Sequence, residues 1–511
     1  MMKRNFKRPR LEPLERRDLL TGMTFFVSPN HENASDSNPG TEELPFATYL
    51  PFVRAYDQTD PNIGRIDLEA GDRVIFGEGT VDALFSNENV LNGLLLRNIH
   101  GTEDNPIVIE GLAGAAIDAR DPNEELPSIR VFASSHVRIE GLEISGDGRG
   151  IRVEGSENIQ IVGNFFNEVE GLDIDNQAAI EVHSSSDVLI TENLIVDSHD
   201  REANSTGGQR TENSRAIVLF SNIGPVQIED NVILNAPQRD ADITGGGITI
   251  KHPGDDVVEI NDNVLINVAT TGIGASSALN AHHNLLIDSA SFSVRNFGSR
   301  TVIHDDIQIE YNTVVNRIEA AGHHAFEGVA GGFEFSGDQN DGSITGDVAF
   351  ENNLVYDARS YNIDRALVTL GAYQSDELYE QITPGLTIEG NGYFNPNHPA
   401  QFSSFVGGGP IGGTFTLAEW QRQGFDSSGV FADPLLDDLT YFPGNADFAG
   451  LGIYGGEESR LGLLIADDDR LISEGEQTTA TITRSGSNVD LNTPLTIQLR
   501  QVRTMFNFRS Q

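Results

Sequence analysis

The sequence predicts an all-β protein whose main part is a right-handed single-stranded parallel β-helix, followed by an incomplete β-sandwich tail. Three observations predict the solenoid. A phrase that reads apolar-x-apolar-x-x-Asn-apolar recurs from about residue 135 to 395. A second strand with alternating apolar residues precedes many copies of this phrase. Amphipathic runs of about 10 residues without glycine, which helical repeats require, are almost absent.

The composition describes an acidic protein without thiol chemistry. The 511 residues include 77 acidic and 33 basic side chains, a net charge of -44, and no cysteine. Disulfides and thiolate metal sites are therefore excluded. Such a charge repels nucleic acid and attracts cations, so we expect no nucleic-acid partner. No segment reaches the roughly 20 apolar residues that cross a bilayer, so we expect no transmembrane segment.

Residues 1–23 form a basic segment that differs from the rest of the chain. It lacks the apolar core of an ordinary secretory signal. Its string "LEPLERRDLLTG" resembles the leader motif that opens many large surface and secreted proteins of planctomycete bacteria. The resemblance implies an export leader. We therefore expect a secreted or cell-surface protein.

The recurring asparagine marks one turn of each coil. Phrases such as "IQIVGNFF", "VLITENLI" and "VQIEDNVI" place it after a short alternating strand. The steps between copies run from 21 to 41 residues, so the longer steps carry inserted loops. Asparagines at equivalent turns can hydrogen-bond to one another and to the backbone, which predicts an internal structural ladder. Its members are Asn164, Asn193, Asn231, Asn263, Asn284, Asn312, Asn353 and Asn391.

Both ends of the repeat region carry further strings typical of this architecture. "FFVSPNHENASDSNPGTEELPFAT" and "LEAGDRVIFGEGTVD" open it, and "VFADPLLDDLTYFPGNADFAGLGIYGG" closes it. These strings resemble secreted β-helix proteins of the polysaccharide-lyase-like (pectin-lyase-like) superfamily. The resemblance implies an N-terminal cap of a strand and a short helix over residues 24–78, and a β-helix over residues 79–456.

Residues 462–511 resemble the first half of a Calx-beta domain. The acidic string "IADDDRLISEGEQTTATITRSG" leads into two alternating strands. A complete module of this kind is a β-sandwich of about 100 residues. The final string "RQVRTMFNFRSQ" does not continue the pattern, so we expect a partial module. By the resemblance, calcium is the expected cofactor and its ligands would be Asp467, Asp468, Asp469 and Glu474.

Alternation also predicts which polar residues face outward on the strand that precedes each phrase. In "GITIKH", Ile248 and Ile250 point inward, so Lys251 points out as an exposed strand residue. Lys251 is one of three lysines, and the other two lie in the leader. The same rule gives one outward face that carries Glu181, His183, Lys251, Arg295 and Glu334, with Arg215 and His252 at its margins.

This set of residues suits β-elimination on a uronic-acid polysaccharide. The reaction needs a positive group that neutralises the uronate carboxylate and a base that removes the neighbouring proton. We predict Lys251 as the base, supported by Arg295, with Arg215 or a cation on the carboxylate. Substrate contacts are predicted for His183, His252, Glu181 and Glu334.

Two functions remain open at this stage. The chain binds or cleaves an acidic polysaccharide or cell-surface glycan, or it is a non-catalytic adhesive solenoid at the cell surface. The chondroitinase-B-like and alginate-lyase-like group has an Asn-Lys-Ser turn after a Glu-rich strand, whereas this chain has "IKHPGDD". For Lys251 itself the alternative to a catalytic role is that it is an ordinary surface lysine.

Overall fold

The computed structural model of the protein describes residues 22–53, 64–82, 93–118, 127–147, 149–170, 178–198, 215–221, 224–235, 246–251, 256–268, 271–295, 306–317, 331–337, 347–358, 366–372, 385–397, 402–406, 413–437, 441–456, 478–482 and 495–499. Within these ranges the chain forms a parallel β-helix with three sheets of 12 strands each. The predicted fold class is therefore confirmed.

The first sheet consists of β1 (Thr24–Val27), β2 (Arg73–Phe76), β5 (Ile107–Gly111), β8 (Ser135–Glu140), β11 (Glu157–Val162), β14 (Ser186–Thr191), β17 (Val226–Glu229), β20 (Val258–Asn261), β23 (Leu279–His282), β26 (Ile307–Glu310), β29 (Val348–Glu351) and β32 (Leu386–Glu389). All neighbouring strands in it are parallel, because each coil adds one strand in the same direction.

The second sheet consists of β4 (Leu94–Arg97), β7 (Pro127–Phe132), β10 (Arg149–Glu154), β13 (Ala178–His183), β16 (Arg215–Phe220), β19 (Gly246–Lys251), β22 (Ile273–Ala275), β25 (Phe292–Arg295), β28 (Phe333–Gly337), β31 (Val368–Ala372), β34 (Phe402–Val406) and β35 (Gly413–Phe415). Its strands are parallel except that β35 pairs antiparallel with β34.

The third sheet consists of β3 (Gly79–Asp82), β6 (Ala115–Asp118), β9 (Glu143–Asp147), β12 (Phe165–Glu170), β15 (Leu194–Val196), β18 (Val232–Leu234), β21 (Val264–Ile266), β24 (Leu285–Ile287), β27 (Thr313–Asn316), β30 (Leu354–Asp357), β33 (Gly392–Phe394) and β36 (Val430–Phe431). One coil runs through the second, first and third sheets in that order, as in β7, β8 and β9.

Inward side chains form continuous apolar columns through the coils. In the second sheet, isoleucines in register on five successive strands are all fully buried: Ile129, Ile151, Ile180, Ile217 and Ile248. Phe292 and Phe333 continue the same column. No single coil could bury these side chains, so the stacking of coils itself forms the core.

The eight predicted asparagines form one internal ladder, as expected. Each is at most 1% exposed. At Asn231, Oδ1 accepts bonds from the backbone N and Nδ2 of Asn193, both at 3.0 Å. Its own Nδ2 donates to the Ile190 carbonyl at 2.9 Å and to Asn263 Oδ1 at 3.0 Å. From Leu142 to Asp426, the ladder therefore joins each coil to the next through side chains and backbone together.

The residue before each ladder asparagine has a left-handed backbone, with φ between 54° and 70°. Two of the eight are glycines, for which this conformation is unstrained. For the other six this conformation costs up to about 1–2 kcal/mol each, and least for the aspartates and the asparagine. The ladder bonds hold these turns in place. The eight residues are Gly163, Glu192, Asp230, Asp262, His283, Tyr311, Asn352 and Gly390.

Asp426, a residue that the repeat pattern does not mark, ends the ladder. Its Oδ1 accepts the Asn391 backbone N–H at 3.2 Å, and its Oδ2 accepts the Tyr393 hydroxyl at 2.7 Å. Asp426 is fully buried, and this burial raises the pKa of its carboxyl group. Burial and the neighbouring Asp426 raise the pKa of Tyr393 well above its usual range. The amide donors of Asn391, the last asparagine of the ladder, are thus paired with a carboxylate instead of with another asparagine.

Aromatic residues pack at both ends of the core. Near the N-terminal end, Phe25, Phe46 and Phe52 contact one another, with ring centroids 5.4 to 6.3 Å apart. Near the C-terminal end, helix α1 (Leu417–Arg422) buries Trp420 against Phe425, with centroids 4.6 Å apart. No helix of the described ranges is long and apolar enough to cross a membrane.

The described ranges reach the predicted outer segments only in part. The segment expected as a cap, 24–78, contains β1, a 3₁₀ turn at Leu50–Phe52 and β2, and both strands already belong to the first sheet. In the expected Calx-beta segment, β37 (Thr478–Ile482) pairs antiparallel with β38 (Leu495–Leu499). Residues 1–21 of the expected leader lie outside the described residues, as do all four predicted calcium ligands.

Replacing a ladder asparagine should cost more stability than replacing an outward polar residue of the same coil. Asn231→Leu removes the acceptor of the Asn193 backbone N–H, one of the three acceptors of Asn193 Nδ2, and a donor to the Ile190 carbonyl. At about 1–3 kcal/mol for a buried group left unpaired, we expect a loss in that range. Urea denaturation measures it. The control Gln227→Leu, at an exposed position of β17, should change stability by less than about 0.5 kcal/mol. Equal costs would contradict the ladder's role.

Three glutamates lie in register on the first sheet, and the pKa values of two neighbours among them, Glu351 and Glu389, shift in opposite directions. Glu351 lies between Glu310 and Glu389. Burial, followed by repulsion from these two, raises the pKa of Glu351 above its ordinary 4.5. Burial alone would raise the pKa of Glu389 too, but hydrogen bonds from Ser428 and Ser427 outweigh it and lower that pKa.

A raised pKa in the folded state means that Glu351 costs stability as pH rises past about 4.5, since the folded protein then holds a proton more tightly than the unfolded one. Glu351→Gln should therefore raise the melting temperature at pH 7, by the equivalent of a few tenths to about 1 kcal/mol. The gain should vanish at pH 3. Glu389→Gln should lower the melting temperature at pH 7. A Glu351→Gln gain that is the same at both pH values would contradict the repulsion.

Candidate functional site

Positive charge is concentrated on the second sheet. The described residues include twelve arginines and lysines, and seven lie on strands of this sheet: Arg97, Arg130, Arg149, Arg152, Arg215, Lys251 and Arg295. The same strands carry three acidic residues. The strands of the first sheet carry two basic and nine acidic residues, and those of the third carry seven acidic and no basic ones. In a chain of net charge -44, one sheet thus has an excess of four positive charges.

Strand register arranges the outward residues of the second sheet in columns. One column contains Arg130, Arg152, Glu181, Val218 and Thr249 on successive strands. The column beside it contains Phe132, Glu154, His183, Phe220 and Lys251. Successive members are one strand spacing apart, about 4.8 Å. We call the outward face of β7, β10, β13, β16 and β19 the cationic face.

Glu181 is the best-buried charged group of the cationic face. It is 1% exposed, and its Oε1 accepts a hydrogen bond from Arg149 Nε at 2.6 Å. Its Oε2 lies 3.6 Å from Arg152 Nε and 3.4 Å from His183 Nε2. Two guanidinium groups and an imidazole thus surround one carboxylate. The carboxylate has no exposed surface with which to hold a substrate directly.

Glu154 continues the charge pairing toward the N-terminal end of the face. Its Oε1 accepts from Arg152 Nη2 at 2.6 Å, and its Oε2 pairs with Arg130. Arg130 and Arg97 both place their guanidinium groups 5.3 Å from the ring centroid of Phe132. The side chains of Arg130 and Arg152 keep 28% and 25% of their surface exposed. These two arginines remain accessible to an anionic ligand.

An aromatic ring separates His183 from Lys251. The Phe220 ring stacks on the His183 imidazole, with centroids 4.4 Å apart and an interplanar angle of 22°. Lys251 Nζ lies 5.8 Å from the centroid of the same ring. Cation–π attraction therefore helps to position the ammonium group. The lysine and the histidine occupy alternate steps of one column.

Arg215 contacts the neighbouring column, at Thr249. It is 3% exposed, and its Nε donates to Thr249 Oγ1 at 3.1 Å. The next strand places Gly246 opposite it. A Cβ at that glycine would lie 2.2 Å from Arg215 Cδ. The glycine thus makes room for the arginine, which the sequence alone did not reveal.

The expectation that Lys251 is exposed is wrong, because the residue is only 4% exposed. Thr249 and Val218, also outward, are 0% exposed. Alternation assigns a side chain to one side of a sheet, but it does not say whether other chain segments cover that side. The interpretation of Lys251 as an ordinary surface lysine fails for the same reason.

The other predicted site residues are distributed as follows. Glu181 and His183 are in contact, and Lys251 lies two strands beyond His183. Arg295 aligns with the Lys251 column two strands further along, and its side chain lies outside the described residues. Glu334 shares the Glu181 column but is five strands away, roughly 24 Å at the usual spacing. His252 lies outside the described residues.

Several residues of the cationic face were missed from the sequence: Arg130, Arg149, Arg152, Glu154 and Phe220. In "PSIRVF" and "GRGIRVEG", the alternation that selected Glu181 and Lys251 also places Arg130, Arg152 and Glu154 outward, so the signal for these three was present. Arg149 has the parity of the inward Ile151, so alternation does not select it. Its strength lies in the accumulation of arginines on consecutive strands. No group of three acidic or histidine side chains suited to a metal ion occurs among the described residues. The calcium ligands stay a prediction.

Comparisons with known proteins give the following similarities. A family model described as "Right handed beta helix region" matches residues 127–314, which run from β7 to the first half of β27. No curated protein matches the sequence. The match agrees with the architecture of the described coils and gives its hand as right-handed.

Three solved structures illustrate the structural similarities. The GH136 lacto-N-biosidase from Eubacterium ramulus is 13% identical, with a TM-score of 0.34, over 75% of this chain and 67% of that one. A mannuronic-acid-specific family 6 polysaccharide lyase from human gut microbiota is 14% identical, with a TM-score of 0.38, over 80% and 91%. The Streptococcus pneumoniae surface protein and adhesin PfbA is 10% identical, with a TM-score of 0.38, over 65% and 87%.

The buried pair of Arg149 and Glu181 should matter for stability far more than an exposed pair. Arg149→Met leaves the Glu181 carboxylate, at 1% exposure, without its closest partner, and we expect a cost of about 3 kcal/mol. The control Arg138→Met breaks an arginine–glutamate pair on the first sheet in which both side chains are about one-third exposed, and it should cost less than about 1 kcal/mol. Urea denaturation compares them. Equal costs would show that Glu181 does not depend on Arg149.

Proposed function

We propose that the cationic face binds an acidic polysaccharide and cleaves it by β-elimination, with Lys251 as the base. The observation that carries the proposal is the charge distribution. Seven basic and three acidic residues lie on the strands of one sheet, whereas the other two sheets are strongly acidic. Folding does not require this separation. A polyanion that approaches a chain of net charge -44 would be attracted to this face and repelled elsewhere.

Arginine is the residue type best suited to carboxylate recognition, because its guanidinium group can donate two parallel hydrogen bonds. Arg130 and Arg152 are partly exposed and lie on adjacent strands, about 4.8 Å apart. A sugar residue is about as long as this spacing. A uronate polymer that runs along the helix axis would therefore meet a positive group at successive sugars.

The elimination step requires that a proton leave the carbon next to the uronate carboxylate. Lys251 is the only lysine on the described strands. Its Nζ lies against the Phe220 ring, in the column that also contains His183. In the proposed reaction neutral Nζ takes the proton from C5, the electron pair forms the C4=C5 double bond, and the C4–O bond breaks. Arg215 lies beside Thr249 on the same face and is the proposed partner of the carboxylate.

The second candidate function is glycan binding without cleavage, as expected of an adhesive solenoid. The burial of Lys251 at 4% and of Arg215 at 3% favours it, because a catalytic base and a carboxylate-binding group must both reach the substrate. Both functions use the cationic face, and both suit the exported protein that the leader predicts. They differ in whether an unsaturated product forms.

One experiment with two readouts tests the proposal. The protein is incubated with polygalacturonate, alginate, chondroitin sulfate and hyaluronan; binding and the ultraviolet absorbance of unsaturated uronate are followed. We expect binding to at least one polymer that weakens with added salt. Arg130→Ala should weaken it about 5- to 10-fold, as one lost charge-assisted contact of about 1 kcal/mol or slightly more implies. Lys251→Ala should abolish product formation while the polymer still binds.

Matched variants on the first sheet serve as controls. Arg138 is an outward arginine of similar exposure that also pairs with a glutamate, and Arg138→Ala should leave binding unchanged. Gln308→Ala, at an exposed outward position of β26, should leave product formation unchanged. Binding without product would select the adhesive function. Absence of binding to all four polymers, or equal effects of Arg130→Ala and Arg138→Ala, would reject the cationic face as the binding site.

A further inference from the structure

Three buried polar atoms without hydrogen-bond partners meet at one point of the cationic face. They are Glu181 Oε2, Arg152 Nε and His183 Nε2. The carboxylate oxygen lies 3.4 Å from the imidazole nitrogen and 3.6 Å from the guanidinium nitrogen, slightly beyond hydrogen-bond length. Buried polar atoms are normally paired, and unpaired ones are concentrated at functional sites.

The two nitrogens of His183 have different surroundings. Nε2 is buried against Glu181. Nδ1 has no hydrogen-bond partner among the described residues, and this atom is not buried. The side chain keeps 26% of its surface exposed. An imidazole beside a carboxylate places a proton on the nitrogen that faces it, which leaves the other nitrogen available for chemistry. Nδ1 is therefore the nitrogen that can meet a ligand.

We propose that His183 is the general acid of the elimination, with Glu181 as its positioning residue. This inference rests on the proposed function. Glu181, 1% exposed, cannot touch a substrate, but its second oxygen can stabilise an imidazolium at His183. Around His183 the charged groups are Glu154 beside it on the neighbouring strand, Glu181 with Arg149 and Arg152 behind its carboxylate, and Lys251 beyond the Phe220 ring.

The geometry lets an acid and a base act on the same sugar. The Phe220 centroid lies 4.4 Å from that of His183 and 5.8 Å from Lys251 Nζ, so the two groups are at most about 10 Å apart. Each then needs to come within about 3 Å of its proton donor or acceptor. A base at C5 and an acid at the neighbouring glycosidic oxygen fit within that span.

The proton count of the step is balanced. Lys251 Nζ takes the C5 proton and becomes an ammonium group. The C5 electron pair forms C4=C5, and the C4–O bond breaks toward oxygen. That oxygen takes the proton from His183 Nδ1–H, and the imidazolium becomes neutral imidazole with its remaining proton on Nε2, toward Glu181. Solvent then moves one proton from Lys251 to His183.

The first test reads the tautomer of His183 directly and does not depend on activity. The protein is labelled with ¹⁵N-histidine, and the spectrum of His183→Gln identifies the His183 signals. We expect neutral His183 to carry its proton on Nε2. In Glu181→Gln, the amide oxygen would face the Arg149 donor and the amide NH₂ would face His183 Nε2. The tautomer should then invert to Nδ1–H. A wild-type Nδ1–H tautomer would overturn the proposal.

The second test separates the acid from the base. A uronate with fluoride at C4 loses its leaving group without a proton. His183→Gln should slow cleavage of the polymer about 100-fold or more, the usual contribution of a general acid. It should slow fluoride elimination less than about 3-fold. Lys251→Ala should abolish both reactions. The control His136→Gln, at a histidine on β8 of the first sheet, should change neither.

The outcomes distinguish the two levels of the proposal. If the wild-type protein forms no product from any polymer or from the fluoride, the proposed elimination fails. If the wild type is active and His183→Gln cleaves the polymer at the wild-type rate, the elimination stands and the assignment of His183 is wrong. Equal slowing of polymer and fluoride would also reject His183 as the acid, because the fluoride needs no proton.

Discussion

The asparagine ladder is the constraint on which the rest of this molecule depends. Each amide joins its own turn to the backbone of one neighbouring coil and to the asparagine of the other. From the coil of Leu142 to that of Asp426, this fixes the register between coils at one point in each turn. Since all three sheets follow from the same register, the ladder also aligns the outward columns far from it. Glu181, His183 and Lys251 lie on strands paired within their own sheet, and the ladder holds the same coils in the same register at another side.

The ladder also explains why the coils tolerate connections of different length. The steps between ladder asparagines run from 21 to 41 residues, yet the strands of successive coils stay in register. Loop closure costs little extra free energy as a loop grows, so an inserted loop weakens the stack only slightly. The coil can therefore carry functional insertions while the side-chain bonds keep the sheets aligned. The strained left-handed turns before the asparagines are held by the same bonds.

The sequence was sufficient for the fold and for the direction of side chains, because both follow from periods that can be counted. The apolar alternation identified the inward isoleucines, and the spacing of Asn231 and Asn263 identified the ladder. It was not sufficient for burial. Lys251 and Glu181 were placed on the correct side, but their low exposure depends on contacts between segments distant in sequence. Asp426 was missed because it ends the ladder outside the repeated phrase. Glu334 shares the predicted column, and only the number of intervening coils separates it from Glu181.

The cationic face contains buried charged residues that the fold does not require. At one outward column position, successive coils accept Arg152, Glu181, Val218 and Thr249. Val218 is fully buried there without any charge, so the architecture does not need an ion pair at this position. Buried ion pairs seldom improve stability over apolar residues of similar size, because their desolvation is costly. The Arg149–Glu181 pair is therefore better explained by what it does for its neighbours than by what it adds to the fold. Its neighbours are an imidazole and a partly exposed guanidinium group, the two kinds of side chain that an acidic sugar would meet first.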